Sequence, residues 1–351
     1  MILTLLIGAL AFATPRDIAI SRLLPAAPAL AASMWTVLPT ILLGAFCVLL
    51  MLGLNLFYSD LGTPYTTAAI AAVTLAAAYA SHVRLRREQA LLQIRLVADT
   101  AQQVLLRPLP SRLGDIEIES LYVAAQAQAQ IGGDFYEAAE TPHGVRLLLG
   151  DVRGKGLSAV GAASALISCF REAAHDEPDL TGVVRRLETS IGRHSAAYPS
   201  QDLPERFATA LLAEIPHGGG QVRLLNCGHP PPLLVHQGEM RVLDLGEPSP
   251  PLNLAALVED TYRTDTVPFA PGDQLLLYTD GVTETRDDAG EFFPLQHWMR
   301  QQGPTSPHRL LDRLHQDLLR FSGGRLDDDV AALSVRYPRS RSHPLETDSS
   351  T

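Results

Sequence analysis

Only four of the first 83 residues carry a charge: Arg16, Asp17, Arg22 and Asp60. A globular surface cannot be covered with so few, so this segment must face lipid or bury itself in a bundle. Three apolar stretches lie within it, at residues 2–14, 35–58 and 66–83. A helix needs roughly twenty apolar residues to cross a bilayer, so the second and third are near spanning length and the first is short. The first also lacks the basic start of a secretory signal, which leaves two or three membrane helices as the expectation for residues 1–83. Trp35, Phe57 and Tyr58 are placed as interface anchors around the second stretch. Arg84, Arg86, Arg87 and Arg95 follow directly after the third, while the loop before it carries only Asp60. The positive-inside rule then puts everything after residue 83 in the cytoplasm, on a multi-pass membrane protein in contact with lipid. The apolar stretches hold no charge that a transport path would require, which argues against a transporter.

The net charge of −10 comes from the remaining chain and excludes a nucleic-acid partner, which would need a concentrated basic face. Cys47, Cys169 and Cys227 show neither metal-ligand nor redox spacing and read as small buried apolar residues. Residues 84–107 contain no glycine or proline and read as a helix stopped by Pro108 and Pro110, so residues 84–110 form a helical linker. Leu91, Ile94, Ala98, Ala101 and Leu105 repeat at 3-4-3-4 spacing. Two readings of that seam stay open, a coil that makes a homodimer and a face packed on the following domain.

From Asp115 the pattern changes to short β-like runs separated by turns, with helices expected at 157–174, 182–195 and 307–321. Strand runs mostly follow one another directly. That favours an α+β fold with antiparallel sheets and helices packed outside. Residues 338–351 are polar and serine-rich and read as a disordered tail.

Acidic residues recur at strand ends or in the turns after them: Asp134 in IGGDFYE, Asp151 in LLLGDVRGKG, Asp280 in LLLYTDGVTE, and the triplet Asp327–Asp328–Asp329 in RLDDDVAALSV. Each adjoins apolar runs or glycines that would hold it near buried structure, where a carboxylate is costly unless paired or bound to a cation. Four such sites without matching basic residues suggest convergence on metal, and all-oxygen ligation selects Mg²⁺ or Mn²⁺.

The motifs GGDFYE, GDVRGKG, FATALLAEI, NCGHPPPLL, GDQLLLYTDGVTETRD and DDDVAALSV, in that order, resemble the PPM (protein phosphatase type 2C) family of metal-dependent phosphatases. The likeness is to its bacterial sporulation and sigma-factor-regulator branch, and it spans about residues 115–337 of a domain placed at 111–337. It implies two stacked antiparallel β-sheets flanked by α-helices. It also implies protein serine/threonine phosphatase activity with two Mn²⁺ or Mg²⁺ ions and an activated water. Asp151 should then bridge the two metals, with the Val152 carbonyl as a further ligand. Asp134 should support the second site, and Asp280 and Asp328 should complete it. Within the triplet the register could slip by one. Gly132, Gly133, Gly154 and Gly156 should let the backbone turn sharply around the ions. Glu137 and Ala331 depart from the residues common in that family, Asp and Thr, at positions that are not primary ligands. His229 tempts an acid/base role, but a structural turn histidine is the better reading. The substrate implied is a phosphorylated protein of the anti-sigma-factor-antagonist class. The competing function is a membrane-tethered binding module that keeps the fold without turnover.

Overall fold

The computed structural model describes residues 24–57, 63–125, 132–198, 206–246, 249–255, 262–303 and 305–338. The first apolar stretch, Arg16 and Arg22, and the tail from 339 lie outside them. The chain divides into two compact units, residues 1–94 and 95–351.

In the N-terminal unit, α1 (Ala26–Met34), α2 (Val37–Phe57) and the start of α3 (Thr63–Leu105) are packed together. Leu24, Ala27 and Ala31 meet Leu43, Cys47, Met51 and Ile70. A Cβ on Gly44 would collide with the Thr74 side chain, so glycine is what lets α2 and α3 approach here. Arg84 donates to the carbonyls of Ser33 (3.0 Å) and Trp35 (2.8 Å) and so satisfies the end of α1. The outward faces stay apolar: Leu38, Leu42, Leu49 and Leu75 are each at least 60 % exposed. Within Pro64–Gln93 of α3 lies an apolar stretch long enough to cross a bilayer. α3 runs unbroken through residues 83 and 84, so the third apolar stretch and the linker are one helix. It ends at Leu105, where Pro108 and Pro110 deny it further backbone donors. The side chains of Ile94, Ala98 and Ala101 lie outside the described residues. Leu91 is exposed, and Leu105 packs on the core of the C-terminal unit.

That unit holds two antiparallel sheets. The first has the order β1-β2-β11-β10-β7-β8, built from β1 (Arg112–Leu113), β2 (Ile116–Val123), β7 (Leu233–His236), β8 (Glu239–Val242), β10 (Gln274–Tyr278) and β11 (Val330–Arg336). The second has the order β3-β4-β5-β6-β9, built from β3 (Asp134–Thr141), β4 (Gly144–Val152), β5 (Ala208–Ile215), β6 (Gly220–Cys227) and β9 (Asp265–Phe269). This is the expected α+β architecture. Alternation along β10 and β11 shows how the layers form. Leu275, Leu277, Ala331, Leu333 and Val335 enter the main core, whereas Leu276, Tyr278, Val330 and Ala332 join a second cluster. In that second cluster they meet Trp298 of α7 (Leu295–Arg300) and Leu310, Leu314 and Leu318 of α8 (Pro307–Phe321).

The second sheet shares the main core with α4 (Leu157–Asp176) and α5 (Leu180–Ala197), through Leu166, Ile167, Phe170, Val184, Leu187 and Ile191. Strands buried on both faces read as nearly continuous apolar runs, which is why VRLLLG and ATALLAEI lack clean alternation. α4 is apolar enough to resemble a membrane span by composition, but it belongs to this core. α5 is capped by Asp179, which accepts from Gly182 N–H (2.8 Å). The short α6 (Asp280–Glu284) and α7 fall outside the sequence expectations, since six residues or fewer carry too little periodicity to read. All three cysteines are free thiols.

Candidate active site

The β3–β4 hairpin turns at Thr141–Gly144, so its far ends bring Asp134 and Asp151 directly opposite each other. Like charges across an antiparallel pair are unfavourable, and both are also withdrawn from water. Burial pushes the Asp134 carboxyl well above its ordinary range, and the neighbouring Asp151 adds to this. Asp151 is pushed up to about 8, first by burial and then by the charges of Asp280, Asp328 and Asp329, with Lys155 opposing them. Asp280 opens α6 just past β10 and is also raised, by burial and then by Glu284 and Asp328. The four proposed carboxylates therefore come from two sheets and repel one another across one region.

Sequence reasoning missed several groups that fasten this region. Thr279 is fully buried and donates to Asp134 Oδ2 (2.8 Å), while its Oγ1 accepts from Ala331 N–H (3.0 Å). One hydroxyl thus ties the start of β3 to the β10–β11 pair of the other sheet. The only trace of it in the sequence is a polar residue closing the apolar run LLLY. Asp329, 4 % exposed, accepts from Tyr122 Oη (2.6 Å), Ala125 N–H (2.9 Å) and Gly132 N–H (3.1 Å). Its oxygens are committed to the backbone beside Asp134. Asp328 is half-exposed and meets Lys155 Nζ at 3.4 Å. Within the triplet, Asp329 is the fastener and Asp328 the accessible carboxylate.

The glycines act in two ways. Gly154 (φ +113°) and Gly156 (φ +85°) adopt the left-handed backbone expected of a turn. Gly132 and Gly133 do not; what they provide is close approach. A methyl on Gly133 would run into the Val152 carbonyl oxygen and meet Asp151 Oδ1 at 2.8 Å. Those two oxygens both lie close over the Gly133 backbone. Among the described residues no three His, Cys, Asp or Glu side chains form a ready-made ion-holding group. The donors nonetheless suit a hard cation: clustered oxygens, largely withdrawn from water and short of positive charge.

His229 is structural, in line with the sequence reading. Its ring is buried and its pKa is lowered to about 3 by desolvation, so it is neutral. Nε2 lies 3.1 Å from the Tyr278 carbonyl, which can only accept, so Nε2 carries the proton and Nδ1 accepts from Thr209 Oγ1 (3.0 Å). Asn226 closes the turn through both the amide and carbonyl of His229. Glu137 reaches Arg171 of α4 at 2.6 Å, an ion pair and not a ligand position.

Residues 141–338 match the protein family Stage II sporulation protein E (SpoIIE). The chain belongs to the SpoIIE family. Two curated relatives are each 24 % identical to it. The phosphoserine phosphatase RsbU of Bacillus subtilis aligns over 74 % of this chain and 75 % of its own length. Protein IcfG of Synechocystis aligns over 69 % of this chain but only 41 % of its own. This chain therefore spans about two fifths of IcfG. Among solved structures, the RsbU and RsbW domains of a Mycobacterium tuberculosis protein show 26 % identity and a TM-score of 0.51, covering 67 % of this chain and 64 % of that one. The PP2C phosphatase domain and regulatory fragment of SpoIIE from Bacillus subtilis give 17 % identity and a TM-score of 0.52, covering 64 % of each chain. The two-sheet fold of the C-terminal unit is thus that of the PP2C phosphatase domain. The family match begins seven residues after Asp134, inside β3.

Proposed function

We propose that the chain is a metal-dependent protein serine/threonine phosphatase anchored in a membrane with its catalytic unit in the cytoplasm. The observation that carries this is the under-compensated carboxylate cluster, with Asp151 Oδ1 and the Val152 carbonyl lying together over Gly133. Two Mn²⁺ or Mg²⁺ ions would be held by Asp134, Asp151, the Val152 carbonyl, Asp280 and Asp328. When bound, such ions supply a nucleophilic water at neutral pH and neutralise charge on the phosphoryl group. The chain's own part is to hold its oxygens in place. Thr279 keeps one oxygen of Asp134 turned toward the β10–β11 pair, and Asp329 fixes the Gly132 backbone that leads into Asp134. His229 joins the end of β10, next to Asp280, to Thr209, whose Cα pairs with Asp151 across β4 and β5.

Membership of the SpoIIE family and likeness to a phosphoserine phosphatase support a phosphoserine or phosphothreonine protein as substrate. Within that class we favour an anti-sigma-factor antagonist. The apolar outer faces of α2 and of the first half of α3 support insertion in lipid, and Arg84, Arg86 and Arg87 support the cytoplasmic orientation. The test is turnover of a phosphoserine peptide and of p-nitrophenyl phosphate by the full chain in detergent, with Mn²⁺ or with EDTA. Hydrolysis that needs Mn²⁺ is expected. Absence of hydrolysis, or hydrolysis unaffected by EDTA, contradicts the proposal.

A further inference from the structure

The chain contains 28 lysines and arginines, and only one of them, Lys155, is a lysine. The other 27 are arginines. The exception sits in the β4–α4 turn between Gly154 and Gly156, both at positive φ, with its Nζ 3.4 Å from Asp328 Oδ1. It is also the cation that offsets the charge around Asp151.

An ammonium and a guanidinium differ in a way that matters here. Arginine presents a rigid fork that grips a carboxylate through two parallel hydrogen bonds, whereas lysine is a compact point charge on a flexible stem. Lys155 touches one oxygen only, at a long distance, and that oxygen also accepts from Asp329 N–H (3.0 Å). The two side chains are 33 % and 45 % exposed, so the pair is weak and solvent can replace it. Such a contact restrains a carboxylate without holding it permanently.

We infer that Lys155 is a tethered counter-ion that occupies Asp328 in the metal-free protein and yields it to a divalent cation, thereby setting how tightly the site takes up metal. This rests on the metal-dependent reading of the site. A cation that must be displaced lowers metal affinity by the strength of the contact it gives up. A lysine makes that cost small, and an arginine would raise it.

The test is metal binding, read by isothermal titration of Mg²⁺ and Mn²⁺ into the full chain in detergent, for the native protein, Lys155→Gln and Lys155→Arg. Lys155→Gln should bind up to about fivefold more tightly, the most that a half-exposed ion pair contributes. Lys155→Arg should bind more weakly than the native chain, and both differences should shrink at high salt. Because no other lysine exists, an amine-selective reagent reports on this side chain alone once the peptide containing residue 155 is isolated. Its modification should accelerate when Mg²⁺ saturates the protein. If both variants shift affinity in the same direction, or if affinity and amine reactivity are unchanged, the counter-ion role is wrong while metal binding stands. If the native chain takes up neither ion, the metal reading fails and takes this inference with it.

Discussion

Two of the places where the C-terminal unit buries charge follow opposite rules. Around Arg146, which has no exposed surface, every donor is used. Its Nε and Nη2 reach Glu214, its Nη1 donates to the carbonyls of Ala174 and Glu177, and its Nη2 also donates to Pro178. Glu214 is in turn shared with Arg223 at 2.6 Å. Opposite charges and satisfied hydrogen bonds tie β4, β5 and β6 to the turn between α4 and α5. Around Asp151 the buried charges are of one sign, they raise one another's pKa, and one weakly held lysine opposes them. A satisfied network stabilises a fold, whereas an unsatisfied like-charged one stores free energy that a ligand can release.

Substitutions should separate the two clusters. The largest effect is expected on turnover: Asp151→Asn should be nearly inactive with its fold intact, and Asp280→Asn and Asp328→Asn should be severely impaired over a full Mn²⁺ titration. Normal turnover by a folded Asp151→Asn protein would remove the distinction. Next comes Arg146→Met, which leaves Glu214 and three carbonyls short of partners. It should cost about 3–5 kcal/mol of stability, measured by chemical denaturation, and a loss under 1 kcal/mol would show that the network is not structural. Asp329→Asn sharpens the comparison because its residue lies beside the acidic cluster yet behaves like a member of the satisfied one. It should lose about 1–3 kcal/mol while keeping metal affinity close to native; loss of affinity with full stability would make it a ligand.

A further effect concerns pH. His229 titrates near 6.5 when unfolded and near 3 when folded, so the unfolded chain binds the extra proton between those values. Its contribution to stability is present above pH 6.5 and is lost as pH falls below it. The difference in stability between the native chain and His229→Gln should therefore narrow as pH drops from 7 to 4. A constant difference would mean that the ring is not held neutral.

Much of this was legible beforehand. The α+β class with antiparallel sheets followed from strand runs separated by turns, the pairing of two stacked sheets followed from the family resemblance, and the helix at 307–321 matched to the residue because Ser306 and Pro307 mark its start clearly. The acidic residues could be picked out because carboxylates beside apolar runs are conspicuous. Their fasteners could not. Thr279, Tyr122 and the backbone contacts of Asp329 act across 52 to 207 residues of sequence, and a hydroxyl at a strand end looks the same whether or not it bridges two sheets. Arg146 was equally silent, since VRLLLG reads as an ordinary strand with one polar residue. The linker and the last apolar stretch merge into one helix because no glycine or proline separates them.

The central claim is that the Asp151 cluster is strained without a cation and relieved by one. Thermal unfolding of the full chain and of Asp151→Asn, each in EDTA and in saturating Mn²⁺ at pH 8.5, tests it directly. In EDTA the variant should be at least as stable as the native chain, since one of the repelling charges is gone. In Mn²⁺ at a hundred times its dissociation constant the native chain should gain about 2.7 kcal/mol and overtake the variant, which should gain little. A variant less stable than the native chain in EDTA, or a native chain that Mn²⁺ does not stabilise, would contradict the account.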